Sequence, residues 1–107
     1  MDLVDVIYEV TASFPNRETY VLSAQLRRAA NSIPSDIAEG RGRHTKADYR
    51  HFLYMARGGT QEVETQIEIA RRQKFITSQR AVELISLVHE VGKLINSLIS
   101  SVNREEP

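Results

Sequence analysis

Apolar residues recur along the chain at intervals of three and four, which is the spacing of one face of an α-helix. Four segments follow this pattern, and the sustained apolar–polar alternation of strands is absent. The first segment carries Leu3, Val6/Ile7 and Val10 on one face and ends before Pro15, because a proline pushes the preceding residue out of helical geometry. The pattern therefore predicts four helices and no sheet.

The second segment is predicted to begin near Asn16, a good N-cap, with Glu18 in its first turn, where the helix dipole favours an anion. Its periodicity continues through Pro34, which predicts a helix that is kinked there and not broken. We expect it to end at Gly40 and Gly42, since glycines often cap helices. Its apolar row is Leu22, Leu26, Ala29, Ile33 and Ile37.

The third segment begins with "TKAD", in which the Thr45 hydroxyl can accept from the Asp48 amide as a helix cap. Gly58 and Gly59 each cost about 1 kcal/mol relative to alanine within a helix, which predicts a closely packed neighbour. Its apolar row is Phe52, Ala56, Gly59, Val63, Ile67 and Ala70. The fourth segment follows "QKFIT" and carries Leu84, Val88, Val91, Ile95, Leu98 and Val102, widened by Ile85, Leu87, Leu94 and Ile99.

Short connections between helices favour antiparallel neighbours. We therefore predict an all-α, antiparallel up-down-up-down four-helix bundle over residues 1–102, with a polar tail over 103–107. The wide apolar face of the fourth helix is also consistent with burial against a second subunit.

A length of 107 residues fits one domain. The sequence has no cysteine and no apolar run near the length of a membrane span, so we expect a cytosolic address and no disulfide.

The net charge is zero, but seven basic residues stand against three acidic ones between residues 27 and 57. The basic residues are Arg27, Arg28, Arg41, Arg43, Lys46, Arg50 and Arg57. Guanidinium groups at the joint between the second and third helices could bind phosphate, and Tyr49, His51 and Tyr54 offer flat surfaces for base stacking. The alternative is a charged joint that meets only water.

A polar row also follows the second helix, formed by Gln25, Arg28, Ser32, Asp36 and Glu39. This row is either a solvated face with local pairing or a hydrogen-bonded network at a subunit interface or ligand groove. Asp36 and Glu39 lie beside Arg41 and Arg43, which favours local salt bridges over general acid–base catalysis.

Metal binding by His44, Asp48 and His51 is conceivable from their spacing of four and three. However, His44 precedes the expected helix cap, and the chain has neither an HExxH motif nor a Glu-x-x-His pair. The sequence also lacks a nucleophile–base–orienter set. We therefore predict no metal, no cofactor and no enzymatic activity.

The stretches "FPNRETYVLSAQLRRAANSIPSDIAEGRGR" and "FLYMARGGTQEVETQIEIA" resemble the four-helix-bundle proteins first recognised as open reading frames in 23S rRNA intervening sequences. That family's pattern runs FP-x-x-E, L-x-x-Q-x-x-R-A, S-I-P-x-N-I-A-E-G and A-x-G-S-x-x-E. The chain departs from it with Asp36 in place of Asn and Gly59 in place of Ser. Family members also typically carry about ten more residues, with a Trp, before this point, so we expect that either the first helix is truncated or its start is misannotated.

The resemblance implies a ring-like homopentamer, and the related accessory subunit of diversity-generating retroelements binds nucleic acid and a reverse transcriptase. The matching motif positions, whose role is expected to be partly structural, are Glu18, Gln25, Arg28, Ser32, Asp36, Glu39, Gly40, Arg43 and Glu62. We accordingly expect a homo-oligomeric bundle that binds RNA or another nucleic acid through the basic joint. An assembly adaptor with a protein partner is the alternative.

Overall fold

The computed structural model describes residues 2–14 and 20–105, and four α-helices account for nearly all of them. They are α1 (Asp2–Ala12), α2 (Tyr20–Arg41), α3 (Lys46–Arg72) and α4 (Ser78–Glu105). The expected start of the second helix at Asn16, with Glu18 in its first turn, lies outside the described residues. Four helices and the short connections at 42–45 and 73–77 confirm the all-α prediction.

Successive helices run antiparallel. Along α1 and α2, Tyr8 contacts Asn31 and Thr11 contacts Arg27. At one end of α3, Lys46 pairs with Glu105 of α4. Each helix contacts the next one and α4 returns to α1, whereas α2 and α4 have no Cα atoms within 8 Å of each other. The described residues therefore form an up-down-up-down ring of four helices around one core.

The core follows the predicted rows, with one exchange on α3. Leu53 is fully buried, whereas Phe52, which the sequence pattern placed in the apolar row, is only partly buried. Phe52 instead lies against α2: its Cβ would be 2.8 Å from a Cβ added at Gly40, and the Arg43 guanidinium lies 4.8 Å from its ring centroid. At the start of α3, the residue that enters the core is therefore Leu53, one position later than the sequence pattern placed it.

The helix ends agree with the predicted signals in part. The Thr45 hydroxyl accepts a hydrogen bond from the Asp48 amide at 3.1 Å, which confirms the cap of α3. None of the five glycines, all of which lie in the described ranges, has a positive φ, so neither Gly40 nor Gly42 forms a left-handed cap. Gly40 is helical and buried, and its role is close packing.

α2 runs through Pro34 without interruption, as predicted, and a kink there stays a prediction. At the other end of the chain, α4 continues to Glu105 and so includes residues that the sequence pattern assigned to a polar tail. Contacts with α3 hold this last turn: Arg50 donates to Asn103 at 3.0 Å, and Lys46 donates to the Glu105 carbonyl oxygen at 3.0 Å.

The first helix is much shorter than the others, with 11 residues against 28 in α4. It covers the part of the bundle near the α3–α4 connection and leaves the space between the C-terminal halves of α2 and α4 open. Ile37, Ile95 and Leu98 line the resulting apolar groove, and Leu94 stands over it with 66% of its surface exposed. The wide apolar face of α4 is therefore covered by α1 along only part of its length.

Candidate nucleic-acid interface

The joint between α2 and α3 places a basic cluster at one end of the bundle. α2 ends at Arg41, and the Arg43 amide donates to the Gly40 carbonyl oxygen at 3.1 Å, which turns the chain tightly. The Thr45 cap then starts α3. All residues from 41 to 48 are exposed, so this turn holds Arg41, Arg43 and Lys46 in solvent.

Three of the four basic residues here have partners within the chain. Arg43 pairs with Glu39 at 2.8 Å, Lys46 lies 3.4 Å from the Glu105 carboxylate, and Arg50 donates to Asn103. Among the described residues, Arg41 has no hydrogen bond or ion pair. Exposed ion pairs contribute about 0–1 kcal/mol each. A phosphate could therefore replace these partners at a small energetic cost.

The remaining three basic residues of the predicted set point elsewhere. Arg27 donates to the Thr11 hydroxyl at 2.8 Å and lies over the Tyr8 ring, on the α1 side of α2. Arg28 lies 4.0 Å from Glu62 of α3, and Arg57 donates to Asn96 of α4 at 3.3 Å. The structure thus brings four of the seven predicted residues together and distributes the other three over the sides of the bundle.

The aromatic residues near the joint are also divided. Tyr49 is half-buried and packs against the core, where its Cδ1 would lie 2.9 Å from a Cβ at Gly40. His51 is exposed and meets the edge of Phe52, with ring centroids 5.8 Å apart. Tyr54 is exposed but lies under Arg57, farther along α3. Of the three aromatic residues expected to stack on bases, His51 is therefore the exposed one beside the joint.

One further basic residue lies at this end of the bundle, and the sequence pattern did not place it there. Arg104 is exposed in the last turn of α4, beside Asn103 and Glu105, which contact the basic residues of α3. The predicted row of apolar residues on α4 reaches Val102, and its continuation by one turn would have placed Arg104 on the helix. The joint surface is therefore Arg41, Arg43, Lys46, Arg50 and Arg104, with Glu39, Asp48 and Glu105 as its anions.

A second group of basic side chains occupies the opposite end of the bundle, around the α3–α4 connection. Arg71 is bound to Glu68 at 3.0 Å, and this hydrogen bond lowers the pKa of the Glu68 carboxyl. Arg80 lies between Glu83 at 2.9 Å and Glu9 at 3.9 Å. Arg72 and Lys74 lie at the same end, so four basic residues there stand against the carboxylates of Glu9, Glu68 and Glu83, whereas the joint has five basic residues against three acidic ones.

The polar row of α2 lies along the outer side of the α2–α3 contact. Gln25, Arg28 and Glu39 are exposed, whereas Ser32 and Asp36 are half-buried. The Ser32 hydroxyl donates to the Ala29 carbonyl oxygen at 2.7 Å. Burial raises the pKa of Asp36. Nearby on α3, Gln66 is buried, and its Oε1 has no hydrogen-bond partner in the described part of the chain.

No group of three or more histidine, aspartate or glutamate side chains within residues 2–14 and 20–105 could hold a metal ion. His44 and Asp48 are exposed in the joint and at the start of α3. Nor is any helix in these ranges both long enough and apolar enough to cross a membrane.

Fold and surface together define a small all-α bundle protein with a basic inter-helix joint. A family model described as 23S rRNA-intervening sequence protein matches residues 1–97, and the chain belongs to this family. The chain is also similar to a crystal structure of a protein of unknown function from the S23 ribosomal protein family of Bacteroides thetaiotaomicron, with 25% identity and a TM-score of 0.84 over 92% of each chain. No curated protein sequence matches it.

Proposed function

We propose that the chain forms a cytosolic, non-enzymatic homo-oligomer that binds RNA through the joint surface. The observation that carries this proposal is the exposure of Arg41, Arg43 and Lys46 around one turn, with Arg41 lacking any hydrogen bond or ion pair among the described residues. Arginine forks are suited to phosphate oxygens, and the neighbouring His51 supplies a face for an unpaired base. The family description, which names 23S rRNA, supports RNA as the ligand class.

A single chain has no net charge, so it would attract a polyanion only weakly. Self-association would strengthen RNA binding. Assembly of several copies would repeat the joint surface and raise the apparent affinity for a long polyanion without any new contact. Five copies is the number that the family resemblance implies. Light scattering or sedimentation gives the number of copies directly, and a strictly monomeric protein would contradict this part of the proposal.

The test of RNA binding is a titration of a structured RNA at several salt concentrations. We expect binding at low salt that weakens as salt rises, because phosphate contacts release counterions. The double change Arg41→Glu with Arg43→Glu should abolish RNA binding. If some binding remains, the number of phosphate contacts, taken from the slope of affinity against salt, should fall by about two. The matched control is Arg72→Glu with Lys74→Glu, which makes the same charge change at exposed positions away from the joint.

Two outcomes would overturn the proposal. One is a wild-type protein that fails to bind RNA at low salt. The other is equal loss of binding in the joint variant and in the control variant, because binding would then reflect total charge and not this surface.

A second candidate function is an assembly adaptor with a protein partner, and the exposure of Leu94 over the apolar groove favours it. Under this hypothesis, a partner would be retained in a pull-down after nuclease treatment, and Leu94→Glu would release it. Retention that is lost on nuclease treatment would instead favour RNA binding.

A further inference from the structure

Side-chain contacts between α3 and α4 repeat at intervals of seven residues on both helices. They are Arg50 with Asn103 at 3.0 Å, Arg57 with Asn96 at 3.3 Å, and Glu64 with His89 at 2.6 Å. Seven residues are close to two helical turns, or about 10.5 Å, so the contacts lie along one side of each helix. The surface that they mark is the α3–α4 seam, which comprises residues 50–64 of α3 and 89–104 of α4.

The part of the seam nearest the joint contains no carboxylate. Residues 49–61 of α3 and 91–104 of α4 include neither Asp nor Glu, and the register of the contacts sets these two stretches opposite each other. Their basic residues are Arg50, Arg57, Lys93 and Arg104. Arg57 donates to the neutral amide of Asn96, and neither Arg57 nor Lys93 has an ion pair among the described residues. The charges of Arg57 and Lys93 are therefore available to an anionic ligand.

A groove of about 450 Å³ lies between the two helices in this seam. Arg57, Lys93 and Asn96 are among its lining residues, and apart from Val88 and Gly92 every lining residue has a polar side chain. An added Cβ at Gly92 would meet no atom within 4 Å, so the groove is open at this point. The groove therefore suits a polar, anionic ligand better than an apolar helix.

Tyr54 adds an aromatic ring beside the seam. Its side chain is 42% exposed, and the Arg57 guanidinium lies 4.8 Å from the ring centroid. Bases of a single strand stack on aromatic rings and on arginine planes, whereas the bases of a duplex are stacked on each other and are not available to a side chain. The combination of cations, amide groups and an exposed ring therefore favours single-stranded RNA.

The apolar surface of α4 that a second copy could cover lies on the other side of this helix. Leu94 and Leu98 line the groove between α2 and α4, whereas Asn96 and His89 contact α3. Burial of Leu94 in a subunit contact would therefore leave the seam exposed. A ring of five copies, the number that the family resemblance implies, would carry five seams.

From these observations we propose that single-stranded RNA runs from the joint surface along the α3–α4 seam of the same copy. Phosphates contact Arg50 and Arg104 at the joint and Arg57 and Lys93 farther along, and one base stacks on Tyr54. The register sets Lys93 opposite residue 60, which is ten residues, or about 15 Å, beyond Arg50 along α3.

The path ends near Glu64, because its carboxylate repels phosphate. This inference rests on RNA binding at the joint surface, as in the proposed function, and it adds the path of the strand and its single-stranded character.

The experiment titrates two RNA probes into the whole chain at several salt concentrations. One probe is a ten-nucleotide strand of alternating A and C, which cannot pair with itself, and the other is a duplex of ten base pairs. Arg57→Gln with Lys93→Gln should weaken binding of the single strand about tenfold or more and remove about two phosphate contacts from the salt slope. The same variant should bind the duplex within about twofold of the wild type, because the joint surface is unchanged.

The matched control is Arg72→Gln with Lys74→Gln, which removes one arginine and one lysine charge at exposed positions outside the seam. We expect it to bind both probes as the wild type does. Tyr54→Leu keeps an apolar side chain but removes the ring, so it should weaken binding of the single strand about fivefold or more with no change in the salt slope. Circular dichroism melts on each variant verify that the fold is retained.

Three results would overturn the seam path while leaving RNA binding at the joint intact. They are wild-type affinity of the seam variant for the single strand, equal losses in the seam and control variants, and wild-type affinity of Tyr54→Leu. Failure of the wild-type chain to bind either probe at low salt would instead overturn the proposed function, and the seam path with it.

Discussion

Gly40 lies where α2 packs tightly against α3, and replacing it with alanine tests how closely the two helices approach. A Cβ at this position would lie 2.8 Å from the Phe52 Cβ, 2.9 Å from the Tyr49 Cδ1 and 3.3 Å from the Tyr49 carbonyl oxygen. The Phe52 Cβ is fixed to the backbone of α3. It cannot rotate away, so relief of the contact requires the helices to separate.

Two opposing effects determine the magnitude. Alanine is better than glycine within a helix by about 0.5–1 kcal/mol, because glycine loses more backbone freedom on folding. Overpacking a well-packed site costs about 1–3 kcal/mol. Since both flanking atoms lie under 3.0 Å, we expect the steric effect to be larger, and Gly40→Ala should lower the free energy of unfolding by about 1–2 kcal/mol.

The control is Gly58→Ala, because a Cβ there would have no atom within 4 Å and Gly58 is also helical. We expect it to raise the free energy of unfolding by about 0.5–1 kcal/mol. Gly92→Ala on α4 has the same open surroundings and serves as a second control. Urea denaturation followed by circular dichroism measures all three. Equal stabilisation by Gly40→Ala and Gly58→Ala would refute the close contact between α2 and α3.

Three further predictions concern a helix cap, a buried carboxyl and the groove. Thr45→Ala should lower the free energy of unfolding by about 1 kcal/mol, because it removes the acceptor for the Asp48 amide. Thr45→Asp keeps an acceptor and should retain most of the wild-type stability in urea denaturation. Equal losses in the two variants would count against the cap. Burial raises the pKa of Asp36, so the folded chain binds the carboxyl proton of Asp36 more tightly than the unfolded chain does. The protonated carboxyl therefore contributes stability at low pH, and this contribution is lost as pH rises through the folded-state pKa. Asp36→Asn should therefore stabilise the dilute protein at pH 7 and have little effect near about pH 3, in urea titrations at both pH values; a pH-independent effect would contradict this reasoning. Leu94→Gln should change the free energy of unfolding by less than about 0.5 kcal/mol, because Leu94 is 66% exposed. A loss several times larger in the same assay would show that the groove is closed in the folded protein.

Local chemistry made several features of the fold predictable. Apolar spacing identified all four helices, because a helix repeats every 3.6 residues wherever it packs. The Thr45 cap was predictable because its donor lies three residues away in the chain. Continuation of α2 through Pro34 followed from the periodicity on both sides of the proline.

The candidate site was less predictable, because its residues belong to different helices. Sequence proximity grouped Arg27 and Arg57 with the joint, but Arg27 is 14 residues before Arg41, which is about 21 Å along α2. Direction matters as well as distance: Arg27 faces α1, and Arg57 faces α4. Arg104 joins the surface only because α4 returns antiparallel to the start of α3.

The adjacent glycines of α3 show the same division. From the sequence, Gly58 and Gly59 each destabilise the helix by a similar amount relative to alanine, and a close neighbour was predicted for both. In the structure, a Cβ at Gly59 would lie 3.0 Å from Ile33, whereas a Cβ at Gly58 would meet nothing within 4 Å. The sequence by itself determined where the helices are and which face of each is apolar, because both depend on residues within a few turns. Only the tertiary structure decided which charges, glycines and apolar side chains meet a neighbour, because that depends on how the helices are rotated and how far each one extends along the others.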